Sequence, residues 1–183
     1  MNDKPPLLNP TPPADDKARV DGILNAVAAS LGFVPDGLRL YSISPPLLEN
    51  FVAGVGYFRE HPTLRQELLA MIRYLGSSRA NCRFCIDLNE GFLSAMGLDL
   101  DAIRAARENP AAAPLEPNEI PLLLLALKAL DDAASVDEAD LDTARTAGWN
   151  DQELFDVVTL AANNRAFNIV LKTFNIEHQG ALA

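Results

Sequence analysis

The sequence predicts an all-α fold, and three observations carry that expectation. Of the 183 residues, 49% are hydrophobic, and Leu and Ala, both strong helix formers, supply most of them. Runs of β-branched or aromatic residues are scarce, and no stretch alternates with period two for long enough to make a strand. Helix start and stop residues recur along the chain, marking about eight helices.

Residues 1–14, with Pro5, Pro6, Pro10, Pro12 and Pro13, read as an extended arm. Residues 15–183 read as a single helical domain, with a Pro/Ala-rich linker near 109–117 between two helical groups. The first helix runs from about Asp15 to Leu31 and stops at Gly32. Phe33 to Gly37 reads as a turn. Ser44 and Pro45 form an N-cap and N1 pair that opens a helix to about Glu60. Gly54 and Gly56 inside it cost helix stability, which predicts close helix approach there.

Thr63 with Gln66 reads as a capping box, and Leu64, Leu68, Met71, Ile72 and Leu75 mark one face of the helix that follows. Asn81 is expected to cap a helix from Cys82 to Gly97. Asp99 opens a short helix broken by Asn109 and Pro110. Beyond the linker a helix spans about Asn118 to Leu130. Ser135 with Glu138 reads as a second capping box, for a helix that ends at Gly148. Asn150 with Glu153 caps a last helix to about Phe174.

The net charge of −10 argues against binding nucleic acid or an anionic membrane through bulk electrostatics. The longest apolar run, Ile120 to Leu127, ends at Lys128 and falls far short of the roughly 20 residues of a spanning helix. The N-terminal residues lack an apolar signal region, so the expected location is the cytoplasm. There a cysteine pair stays reduced unless it has a redox or metal-binding task.

Cys82 and Cys85 are the chain's two cysteines. Three residues apart, they share a helix face and can close a disulfide without unfolding the turn. A helix start stabilises a thiolate through its unpaired N–H groups and its dipole. Cys82 is then the expected attacking sulfur, helped by Arg79 and Arg83 if they face it, and Cys85 the resolving partner. Burial could reverse the two roles. A structural zinc needs two further ligands, and His61 and His178 lie in no paired motif, so neither a metal nor a cofactor is expected. Inert packing of the two thiols is the bland alternative. A thioredoxin-type motif needs a strand before it, and residues 64–75 read as helix.

Residues 31–35 (Leu-Gly-Phe-Val-Pro) and 44–48 (Ser-Pro-Pro-Leu-Leu) resemble the opening of the AhpD-like alkylhydroperoxidases, in the carboxymuconolactone decarboxylase superfamily. Residues 77–85, Ser-Ser-Arg-Ala-Asn-Cys-Arg-Phe-Cys, resemble their active-site motif. Residues 147–154, with Ala161, Ala162, Phe167 and Asn168, resemble their final helix. The resemblance implies an all-helical homo-oligomer (dimer, trimer or hexamer) that reduces hydroperoxides with the cysteine pair and is restored by a dithiol protein reductant. It also implies a proton relay through a glutamate twelve residues before the first cysteine and a histidine four residues after the second. Here those positions hold Ala70 and Asn89. Asn89 can hold a hydrogen bond but cannot titrate near neutral pH. Glu67, one turn before Ala70, is the candidate substitute, while Asp87 and Glu90 read as solvated dipole partners.

The leading expectation is therefore a cysteine-dependent hydroperoxide reductase using Cys82, Cys85, Glu67 and Asn89. The alternatives are a thiol–disulfide sensor or scaffold lacking the relay, and a lactone decarboxylase for which Arg73 and Arg79 are the available cations.

Overall fold

The computed structural model describes residues 4–182. Among them are nine α-helices and no strand: α1 Lys17–Leu31, α2 Asp36–Tyr41, α3 Pro45–Arg59, α4 Gln66–Arg79, α5 Arg83–Ala95, α6 Leu100–Ala105, α7 Ile120–Asp131, α8 Glu138–Thr146 and α9 Asp151–Thr173. The fold class is thus all-α, as the Leu- and Ala-rich composition predicts. No described helix is long and apolar enough to cross a membrane. The chain divides into two compact units: one up to His61 together with the chain from Leu171 onward, the other Pro62–Val170.

In the first unit, Val20 of α1, Val34, Leu38 of α2 and Leu48 of α3 form the core, with Ile23, Leu24, Phe51 and Val52 packed against it. Residues 33–37 are not simply a turn. Pro35 sits extended at the N-cap and α2 begins at once with Asp36. The Asp36 carboxylate is buried and accepts the Leu182 N–H at 3.1 Å, which fixes this short helix against the C-terminal segment. The expected close approach at Gly54 and Gly56 is absent, since a Cβ at either position would meet nothing within 4 Å. Val55 and Tyr57 on the same stretch are exposed.

In the second unit, α4 is almost wholly buried from Leu68 to Ile72 and from Tyr74 to Ser77, and it pairs most extensively with α5. The close helix approach occurs at Gly76, where a Cβ would lie 3.1 Å from Leu130 Cδ1 of α7. Within the expected linker, Pro110–Ala112 form a 3-10 turn and Ala113 is buried.

Three caps differ from expectation, each for a local reason. The N-cap of α4 is Arg65, so Thr63 lies two residues too early for a capping box; its hydroxyl instead bonds the Glu153 carboxylate. The box that opens α8 is Asp137 with Asp140, because Ser135 is spent in a 3-10 turn capped by Asp132. Asn81 does not cap α5. It takes the left-handed conformation, φ 51°, as the residue just past the end of α4. Its N–H bonds the Ser78 carbonyl and the Cys82 N–H the Ser77 carbonyl, each at 3.0 Å. Those two bonds are a Schellman motif, and asparagine tolerates the left-handed position better than most residues.

Candidate functional site

The Schellman motif sets the register of the cysteine pair. The chain leaves α4 through Asn81 and re-enters a helix one residue later, so Cys82 is the extended N-cap of α5 (φ −96°, ψ 94°). Cys85 follows in the first turn. Both side chains are buried, about equally, and their sulfurs lie 2.9 Å apart without a disulfide.

Two buried polar side chains, Ser77 and Asn168, meet the inner sulfur, and a third, Asn164, is bonded to them. Ser77, from the last turns of α4, accepts hydrogen bonds from Asn164 Nδ2 and Asn168 Nδ2 of α9, each at 3.1 Å. A hydroxyl has two acceptor sites and one proton. With both acceptor sites taken, the Ser77 proton is left for Cys85, and Ser77 and Asn168 both hydrogen-bond that sulfur. These bonds draw the Cys85 thiol toward ionisation. The hydrogen bond to Cys82, followed by burial, outweighs them and pushes Cys85 up. Cys85 therefore keeps its proton more firmly than a free cysteine does.

Asn89, one turn past Cys85, is also buried. Its Nδ2 donates to the Cys85 carbonyl at 2.8 Å, and its Oδ1 accepts from Arg73 Nε at 3.2 Å. Burial pushes the Arg73 guanidinium down to about 10, still well above neutral pH.

Of the four expected site residues, the structure brings together Cys82, Cys85 and Asn89. Glu67 lies in the first turn of α4, ten residues before Ser77, which is roughly 15 Å along the helix axis. There it pairs with Arg65 at 3.0 Å. Its own backbone N–H and the Arg65 guanidinium hold its carboxyl below the usual range. Arg79 faces Asp131 at 3.4 Å. Glu90 is not simply solvated: it accepts from Arg104 at 2.8 Å, Arg107 at 3.2 Å and Tyr74 at 3.1 Å, and these partners hold its carboxyl low. His61 lies edge-on to Tyr57, and His178 Nδ1 lies 3.2 Å from the Gln179 carbonyl oxygen.

Sequence reasoning missed Ser77, Asn164 and Asn168 as site residues. The available signal was a pair of asparagines four apart, Asn164 and Asn168, on one side of a helix otherwise rich in Ala, Leu and Val. Arg73 carried a comparable signal, as a charge inside the apolar run Met71-Ile72-Arg73-Tyr74-Leu75.

No family model matches the chain, and no curated protein matches it by sequence. Solved structures do match. A peroxidase-related protein of uncharacterised function from Silicibacter sp. TM1040 is 22% identical with a TM-score of 0.83, over 95% of this chain and 92% of that one. A second such protein, an alkylhydroperoxidase AhpD core from Ralstonia eutropha JMP134, is 22% identical with a TM-score of 0.76, over 98% and 93%. A debrominase in its apo form is 17% identical with a TM-score of 0.74, over 96% and 94%. The chain has the AhpD-like fold.

Proposed function

We propose that the chain is a hydroperoxide reductase that cycles Cys82 and Cys85 between dithiol and disulfide. One observation carries this reading: two buried sulfurs 2.9 Å apart, the outer at a helix N-terminus and the inner in the first turn that follows. The Cys82 thiolate attacks the distal peroxide oxygen, the O–O bond breaks, and the leaving alkoxide takes the Cys85 proton. The products are an alcohol, a sulfenic acid on Cys82 and a thiolate on Cys85. Ser77 and Asn168, already bonded to the Cys85 sulfur, then stabilise its charge. Cys85 attacks the Cys82 sulfur, the S–S bond forms, and hydroxide leaves. An external dithiol protein reduces the disulfide.

This sequence needs no relay histidine, because Cys85 supplies the proton that the alkoxide requires. The amide at Asn89 holds the backbone of the site and relays no proton. Assembly as a homo-oligomer belongs to the same reading, and sedimentation of the purified protein tests it. The fold shared with the debrominase supports a second use of the same thiols, reductive removal of bromine from an activated ring. The second structure of that debrominase holds 2,3,4-tribromopyrrole, the direct probe for bromide release.

The test is steady-state consumption of cumene hydroperoxide with a dithiol reductant in excess. The account expects turnover that Cys82→Ser and Cys85→Ser each abolish. Consumption that survives in the double variant would place the chemistry outside the thiols and overturn this reading. A disulfide that forms once and does not turn over would leave a redox sensor.

A further inference from the structure

We propose that Arg73 forms an anion subsite beside the dithiol, so that the substrate of the Cys82/Cys85 pair carries a carboxylate or a similar oxyanion. The inference rests on the dithiol reading above and adds the substrate's chemical class.

The charge around Arg73 is unbalanced. The exposed arginines Arg65, Arg79, Arg104 and Arg107 each face a carboxylate. Arg73 is mostly buried, yet among the described residues no carboxylate pairs with it. Its side chain makes one hydrogen bond, from Nε to the neutral Asn89 Oδ1. A desolvated cation without a counter-charge is costly, and a protein that keeps one gains when an anion arrives. The guanidinium presents the two-pronged donor edge that fits a carboxylate.

Arg73 lies one turn before Ser77 on α4, and Asn89 lies one turn after Cys85 on α5. Ser77 bonds the Cys85 sulfur and Arg73 bonds Asn89, so the two helices run side by side with these pairs on successive levels. One turn is about 5.4 Å, which puts an anion on Arg73 adjacent to the sulfurs.

Asn89 completes the arrangement as a positioning residue. Its amide bridges the Cys85 carbonyl and Arg73 Nε, fixing the guanidinium plane. An imidazolium there would repel Arg73, whereas an amide presents an oxygen to it. The departure from the relay histidine and the unpaired arginine are thus one feature: a proton-relay position turned into an anion bracket.

The test compares alkylation of the reduced full-length protein by iodoacetate and by the uncharged iodoacetamide. The two reagents draw on the same thiolate, so their rate ratio cancels any change in thiol ionisation and reports the charge felt by the incoming molecule. Arg73→Met should lower the iodoacetate to iodoacetamide ratio by about tenfold or more, as losing a nearby cation in a partly desolvated site requires. Arg73→Lys should keep most of it. An unchanged ratio in Arg73→Met overturns the proposal, including the case where a carboxylate from a second copy already neutralises the arginine. So does failure of either reagent to reach the thiols of the folded wild type.

A second arm compares cumene hydroperoxide with its carboxylated analogue. Arg73→Met should raise KM for the carboxylated peroxide alone. If the wild type consumes neither peroxide while the alkylation ratio responds to Arg73, the peroxidase reading fails and the anion subsite stands. If both peroxides turn over and the ratio is flat, the subsite fails and the peroxidase reading stands.

Discussion

Ser77 joins α4 to α9 and to the inner sulfur through a single hydroxyl, and two asparagine amides depend on it. Ser77→Ala takes the hydroxyl acceptor from both amides; Asn164 Nδ2 keeps the Arg73 carbonyl at 3.3 Å, so the loss falls mainly on Asn168 and should cost about 1–3 kcal/mol of unfolding free energy in urea titrations. It should also slow disulfide closure more than it slows attack on peroxide, because Ser77 bonds the inner sulfur, the one that closes the disulfide. The order of events at the sulfurs has its own check. In Cys85→Ser, a cyclic diketone should trap sulfenic acid on Cys82; trapping only on Cys85 in the reciprocal variant would reverse the assigned roles. The cysteine pair was legible from spacing alone, since helix geometry puts such thiols on one face. Ser77 and Asn168 were not, because 91 residues separate them and only the packing of α9 on α4 brings them together. Glu67 stands apart for a reason countable from the sequence: ten residues of one helix, at about 1.5 Å each, separate it from Ser77.

The α4–α5 junction depends on one left-handed residue. Asn81→Gly should leave stability unchanged or improve it, because glycine accepts positive φ without steric cost. Asn81→Val should lose about 1–2 kcal/mol, since a β-branched side chain at φ 51° clashes with its own backbone. If the Schellman bonds hold Cys82 in register, the same variant should also form its disulfide more slowly. Equal stabilities of the Gly and Val variants would refute the assignment. Helices were legible wherever an apolar face met a clear stop, as from Asp15 to Gly32. Caps were less so. Asn81 fits an N-cap and a C′ position equally well by residue type, and only the three-residue gap between α4 and α5 decides it. At α8 the N3 position holds Asp140 rather than the glutamate or glutamine expected of a capping box, so a search for those residues lands two positions early.

At the scale of the whole molecule, pH reaches stability through buried carboxyls as well as through the thiols. Glu119 is buried at the start of α7, its Oε1 has no hydrogen-bond partner among the described residues, and burial raises it above its ordinary value of 4.5. A folded-state value above the unfolded one means that the folded chain binds more protons between the two. Glu119 then contributes stability below about pH 4.5 that is lost as pH rises through its folded-state value. Glu119→Gln should therefore gain on the wild type as pH rises through that window, in urea unfolding at a series of pH values. A constant difference across the series would count against it. The all-α class followed from composition and punctuation because both are properties of short segments. The two-unit division did not, since it depends on how the last residues return to the first. The central claim is that the dithiol meets peroxide as a pair. Intact mass of the reduced protein, before and after one equivalent of cumene hydroperoxide, tests it most directly. The account predicts loss of two hydrogens in the wild type and no such loss in Cys82→Ser or Cys85→Ser. An unchanged mass, with both thiols still open to alkylation after unfolding, would contradict it.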